Sequence, residues 1–234
     1  MFSTEDVQLT RANLLSAVVA MLGLLLFCAL TALVIEKRTM VLDHQLIEML
    51  RSHATPLFTT VMLAATFVSG RLAIPVALLF AYLLFRRDGW RSAWYYVAAC
   101  LTAQLLNLVL KYGIGRARPH GISPKLTAAG GPSYPSADVM MAVVVFGLGA
   151  WVLSRSIESA GLRTVVRFIV VIFIAAMGVA RVYLGAHWPS DVLGALFAGV
   201  TCSAIWTATA LSDPRSLRLP LLESADPLAT PVVR

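Results

Sequence analysis

Long apolar runs separated by short charged loops constrain this chain more than any other feature. About 20 consecutive apolar residues cross a bilayer as a helix. The sequence offers such runs repeatedly, at Asn13–Val34, Leu72–Phe85, Ala93–Leu110, Val139–Leu153, Val165–Val182 and Val192–Leu211. Inside hydrocarbon every backbone N–H and C=O must find a partner within the chain, so these runs must be helical. Thr55–Ser69 is apolar but short, and Gly70-Arg71 interrupts it. It reads as a half-span or an interfacial helix. In Val41–Arg51, Leu42, Leu46, Ile47 and Leu50 recur at helical spacing, with Asp43, His44 and Glu48 on the remaining surface. That pattern predicts an interfacial amphipathic helix. Of 234 residues, 59% are hydrophobic and 13% charged, too apolar a balance for an ordinary soluble domain. The expected fold is all-α, a polytopic membrane bundle of about six spans plus interfacial helices. Residues 1–211 read as one integral-membrane domain, and 212–234, rich in Pro and of mixed charge, as a tail.

The net charge of +7 does not point to nucleic acid, because the basic residues sit in loops between apolar runs. Arg86, Arg87 and Arg91 share one loop; Arg155 and Arg163 share another, with Arg167 just beyond; Arg215 and Arg218 follow the last run. The positive-inside rule makes these segments cytoplasmic, together with both termini. The loops at 111–138 and 183–191 then lie on the opposite face. Met1–Thr10 lacks a cationic start and the first run lacks a small-residue cleavage site, so that run reads as an anchor, not a signal peptide. Cys28, Cys100 and Cys202 lie far apart within apolar runs and read as buried free thiols.

Ionisable residues gather at helix ends on the non-cytoplasmic side. Lys111 closes one span, and Arg116 and Arg118 follow it; Ser136 and Asp138 open the next; Arg181 ends another; His187 and Asp191 open the last. Lys and Arg converging from separate segments describe an oxyanion site, most simply one for phosphate. Backbone N–H groups at the helix start near Ser136 would add donors. His187 and Asp191 are four apart, so they can meet on a first helical turn, which Pro189 suits. A carboxylate holding Nδ1–H leaves Nε2 free as a nucleophile. No metal-ligand cluster is visible, and no metal or cofactor is expected. Each residue also has a plainer reading: snorkelling for Lys111, Arg116 and Arg118, a structural pair of Arg181 with Asp191, and helix-dipole stabilisation for Asp138. Trp188 and Trp151 read as belt residues at the two interfaces. The plainer readings leave the convergence of the whole set unexplained.

The run KYGIGRARP, Lys111 to Pro119, resembles the K-x6-R-P first motif of the type-2 phosphatidate phosphatase superfamily of integral-membrane lipid phosphate phosphatases. The run RVYLGAHWPSD, Arg181 to Asp191, resembles the third motif, R-x5-H-x3-D. The resemblance implies a six-span fold with its site at the outer surface of the cytoplasmic membrane, acting on lipid phosphates such as phosphatidate, phosphatidylglycerol phosphate or polyprenyl diphosphates. Lys111, Arg118 and Arg181 would hold the phosphate, supported by Ser136 and the backbone around Ala137. His187 would attack phosphorus to give a phosphohistidine, and Asp191 would orient His187. Arg116 is not a fixed position of the motif and reads as an attractor of anions.

The second motif departs from the family. Pro135-Ser136-Ala137-Asp138 stands where P-S-G-H is usual. The family's His protonates the leaving alcohol; here an Asp would do so. An ordinary Asp has a pKa of about 3.9 and is ionised at pH 7. Three readings stay open: Asp138 is an acid that becomes protonated when substrate closes the site, the leaving group is itself a phosphate, or the site is altered and only binds phosphate. His120, next to Pro119, could supply the proton instead. Phosphoryl transfer to another lipid is the alternative to hydrolysis.

Overall fold

The computed structural model describes residues 4–119 and 130–213, all of them helical or in the turns between helices. The helices are α1 (Thr4–Ile35), α2 (Met40–Ser52), α3 (Pro56–Arg71), α4 (Ala73–Asp88), α5 (Trp90–Ile114), α6 (Ala137–Ser156), α7 (Ala160–Tyr183) and α8 (Pro189–Ser212). Among the described residues, α5, α6, α7, α8 and the Arg11–Ile35 part of α1 are long and apolar enough to cross a membrane. At 16 residues α4 is only about 24 Å long, short of the roughly 30 Å of hydrocarbon. With α3 it forms a pair bent by 50°, which brings the number of spans to six if the pair counts as one. Thr55–Ser69 corresponds to α3, one arm of this bent pair. Its helix runs on through Gly70 to Arg71 and turns into α4 at Leu72.

Helix ends follow local chemistry. Thr55 caps α3 through Phe58 N–H at 3.1 Å, and Ser159 caps α7 through Leu162 N–H at 3.3 Å. Gly115, at φ 65°, ends α5 in the left-handed conformation and turns the chain toward Arg116 and Arg118. Large apolar side chains such as Leu101, Leu105 and Val109 on α5 and Phe168, Ile169 and Ile172 on α7 are exposed, as lipid-facing surfaces require.

The core lies where α6 and α8 cross beside α5 and α1. Met140 and Val144 pack against Ala195, Ala198 and Cys202, with Ala99 and Ala103 of α5 closing the cluster. Small residues on α8 permit the approach. A Cβ on Gly199 would stand 2.9 Å from Val143 Cβ, and one on Gly194 would stand 2.4 Å from the Tyr134 hydroxyl. Tyr134 in turn bonds Thr31 of α1 at 2.8 Å. The α6 start, the α8 start and the end of α5 are thus fixed at one end of the bundle.

The helix at 41–51 forms as expected, but its buried face differs. Asp43 and Ile47 are buried, whereas Leu42 is exposed. A carboxylate occupies the inward position because it has partners there, described below.

Candidate active site

His187 sits in the turn between α7 and α8 and is 1% exposed. Its Nδ1 lies 2.8 Å from the Ser133 carbonyl oxygen, which can only accept. Nδ1 therefore carries the proton. On the other side of the ring, Arg118 Nη1 donates toward Nε2 at 3.3 Å, and a guanidinium can only donate. Both neighbours select one neutral tautomer, with the Nε2 lone pair directed at a cation. Burial pushes the His187 pKa below its ordinary 6.5; Arg181 and Arg118 push the same way, and Asp191 opposes them. The Asp191 carboxylate lies 3.6 Å from Nδ1, beyond hydrogen-bond range. The expected carboxylate contact to Nδ1–H is therefore a backbone carbonyl contact, with Asp191 adding its field. Asp191 is committed elsewhere: its Oδ2 accepts Trp188 N–H at 2.8 Å at the α8 start, and its Oδ1 accepts from Arg116 at 2.6 Å.

Two cations converge beside this imidazole. Lys111 Nζ and Arg118 Nη2 both donate to the Pro132 carbonyl, at 2.9 and 3.2 Å. Arg118 also reaches the Gly131 and Ala186 carbonyls at 2.9 and 2.7 Å. Every one of these partners is a neutral oxygen. These partners leave both positive charges unneutralised and repelling each other, and burial, followed by the nearness of Arg181, pushes the Arg118 pKa down. An anion with several oxygens would relieve that repulsion and could take the place of the Pro132 carbonyl.

Arg181 and Asp138 form an ion pair at 2.7 Å, and Arg181 Nε is buried without a hydrogen-bond partner. Arg181 thus pairs with Asp138, not with Asp191. Ser136 occupies the position before α6, yet its side chain makes no capping bond, and its buried Oγ has no hydrogen-bond partner. A serine at this position ordinarily bonds the helix's own N–H groups. Its Oγ is thus free to meet another group. Ala137 opens α6 without a positive φ, so the family's glycine is not required there.

The residues expected at the site come together at the α6 and α8 starts and the α5 end. His120 lies outside the described residues. Arg116 departs from expectation. Its side chain is 9% exposed, bonds Asp43 at 2.7 Å and Asp191 at 2.6 Å, and lies over the Trp188 ring. It is a buried bridge between carboxylates, not a surface attractor of anions. Trp188 is likewise no belt residue. It is buried, donates through Nε1 to the Ala117 carbonyl at 2.9 Å, and meets His44. Asp43 also accepts from the Ser190 backbone N–H and hydroxyl, at 2.9 and 2.7 Å. Nothing local in VLDHQ marks Asp43 as buried, since its partners come from chain segments more than 70 residues away. The one signal available is a carboxylate one turn before Ile47, on the same helical stripe. Among the described residues, no three His, Cys, Asp or Glu side chains form a metal-binding group.

A phosphatidylglycerophosphatase B of Bacillus subtilis (strain 168) is 36% identical over 100 residues, covering 42% of this chain and 48% of that protein. The match thus spans about half the length of that relative. The solved structure of a transmembrane PAP2 type phosphatidylglycerolphosphate phosphatase from Bacillus subtilis superimposes with a TM-score of 0.72 at 25% identity, covering 80% of this chain and 93% of that one. Aquifex aeolicus LpxE shares the fold, with a TM-score of 0.55 at 22% identity over 70% of this chain and 94% of that one. The sequence pattern of the PAP2 superfamily matches residues 92–213, which carry Lys111, Arg118, Ser136, Arg181, His187 and Asp191. The chain is a member of the PAP2 superfamily.

Proposed function

We propose that this protein is a lipid phosphate phosphatase working through a phosphohistidine at the outer face of the cytoplasmic membrane. The observation that carries the reading is the state of His187: Nδ1–H is held by the Ser133 carbonyl, and Nε2 is unprotonated beside Arg118. Nε2 attacks phosphorus, and the bond from phosphorus to the lipid oxygen breaks. Arg118, Lys111 and Arg181 hold the equatorial oxygens, and Ser136 Oγ donates to one of them. The leaving oxygen takes a proton from Asp138. Water then attacks the phosphohistidine, returns a proton to Asp138, and inorganic phosphate leaves. Side chains of the protein supply the nucleophile, the acid and the phosphate ligands, and water completes the cycle.

An incoming phosphate competes with Asp138 for Arg181, which releases the carboxyl group from the ion pair to face the leaving oxygen. Asp191 and Arg116 keep the His187 turn in place. The similarity to a phosphatidylglycerophosphatase supports a glycerophospholipid phosphate as substrate. The basic loops support a cytoplasmic location for both termini and a periplasmic or extracellular site.

His187→Ala should abolish phosphate release from a lipid monophosphate in detergent. Full activity in that variant would exclude the mechanism. A second reading, an altered member that binds phosphate without turnover, is favoured by the Arg181–Asp138 ion pair, which occupies a phosphate ligand. Turnover by the native chain that Asp138→Ala lowers excludes it. Silence in the native chain with activity gained in Asp138→His supports it.

A further inference from the structure

A groove of about 530 Å³ runs down from the candidate active site between α4, α5 and α6. Ala137 and Asp138 line it where α6 begins, and Ala81, Tyr96 and Val145 line it further down. From Asp138 to Val145 is about 10 Å along α6. Asp138 faces this groove and pairs with Arg181, so groove and phosphate site are continuous. Ile74, Ala77 and Leu78 of α4 make the opposite wall apolar.

Gln104 interrupts that apolar lining. Its side chain is exposed, lies in the wall, and makes no hydrogen bond among the described residues. A primary amide facing hydrocarbon without a partner is costly, so its retention in a span calls for a ligand. Gln104 precedes Lys111 by two helical turns on α5. It therefore shares the Lys111 face and lies about 10 Å deeper. A lipid whose phosphate meets Lys111 must pass Gln104 on its way down the groove. In a diacylglycerol phosphate the ester carbonyls lie a few bonds below the phosphate and can accept from an amide. In a polyprenyl diphosphate that depth holds only hydrocarbon.

We infer that this groove takes the acyl chains of a diacylglycerol phosphate and that Gln104 Nε2 donates to an ester carbonyl, which selects ester lipids over polyprenyl diphosphates. The inference rests on the phosphatase reading above. The test compares kcat/KM for diacyl phosphatidate with that for its dialkyl ether analogue of equal chain length, in mixed micelles. One hydrogen bond to the carbonyl corresponds to a native preference for the ester of roughly three- to tenfold. Gln104→Leu should bring the ratio close to one, and a ratio cancels losses in the amount of folded protein. Ala77→Phe, which fills the groove lower down, should raise KM for long-chain phosphatidate more than for a short-chain one.

A native ratio near one, a ratio unchanged in Gln104→Leu, or preferential turnover of a polyprenyl diphosphate would overturn the groove assignment while leaving the phosphatase reading intact. No turnover of any of these lipids by the native chain would overturn the phosphatase reading and the groove assignment together.

Discussion

Arg116 shows how much one buried cation can organise. It bonds Asp43 of α2 and Asp191 of α8 and has Trp188 beneath it. Removing it leaves two buried carboxylates facing each other without a counter-charge. Breaking a buried ion pair from one side costs about 3–5 kcal/mol. Arg116→Ala should therefore lower Tm and reduce kcat as severely as Arg118→Ala, although Arg116 touches no phosphate. Asp43→Asn should reduce kcat more than it raises KM, because it loosens the His187 turn through Arg116 and Ser190. Kinetics of these variants that match the native chain would remove the bridge from the mechanism. His187 gives a pH prediction with a definite sign. Its pKa is held below the ordinary 6.5, chiefly by burial. The neutral ring, the form the proposed attack requires, therefore persists as pH falls through 6.5, and the acidic limb of kcat/KM should lie below that value. Stability has the same sign: the neutral ring's contribution is present above 6.5 and is lost as pH falls through the lower folded-state value. Asp191→Asn removes the influence that raises this pKa, so the limb should move lower still while the rate drops. A limb above 6.5 in a pH profile would contradict the burial argument.

At the scale of elements, α8 organises the site. Pro189 starts it, the Asp191 side chain holds its first turn, and Gly194 and Gly199 let Tyr134 and α6 come close. Overpacking a well-filled interface costs about 1–3 kcal/mol. Gly194→Ala should lower Tm by that mechanism and also disturb catalysis, because Tyr134 lies between Ser133, which orients His187, and Ser136. Gly199→Ala, deeper in the bundle beside Val143, should lower Tm with less effect on kcat. Thermal denaturation in detergent alongside phosphate release separates the two, and equal kinetic damage from both would argue against a special role for the Tyr134 contact. Helix α2 has a comparable part. It docks on the α8 start through Asp43, so an interfacial helix forms one wall of the site's support.

For the whole molecule, the proposed orientation can be measured. An impermeant thiol reagent added to intact cells should label Ala117→Cys at the site end of the bundle. Glu158→Cys, at the opposite end between α6 and α7, should be labelled only after lysis. The reverse pattern would place the site in the cytoplasm and exclude an outer-leaflet substrate.

The sequence by itself determined the helices, because apolar runs of that length have no other way to satisfy their backbone in lipid. It also marked the segments that carry the candidate site. Lys111 to Pro119 and Arg181 to Asp191 keep their spacing whatever surrounds them, and helix ends put ionisable groups at one level. Pairing was left to the tertiary structure. Arg181 could have met Asp191 or Asp138, and it meets Asp138. Nδ1 of His187 could have met Asp191, and it meets the Ser133 carbonyl, which a turn in another segment supplies. Asp43 reads as part of a polar face until α8 and Arg116 arrive to bury it. The place of the break between α3 and α4 was equally hidden, since Gly70-Arg71 reads as the interruption although the helix runs through both and bends at Leu72. Periodicity is a property of neighbouring residues, and it is written in the chain. Which of several charges a side chain meets depends on how helix ends from distant segments are brought together, and packing at the α6–α8 crossing decides that.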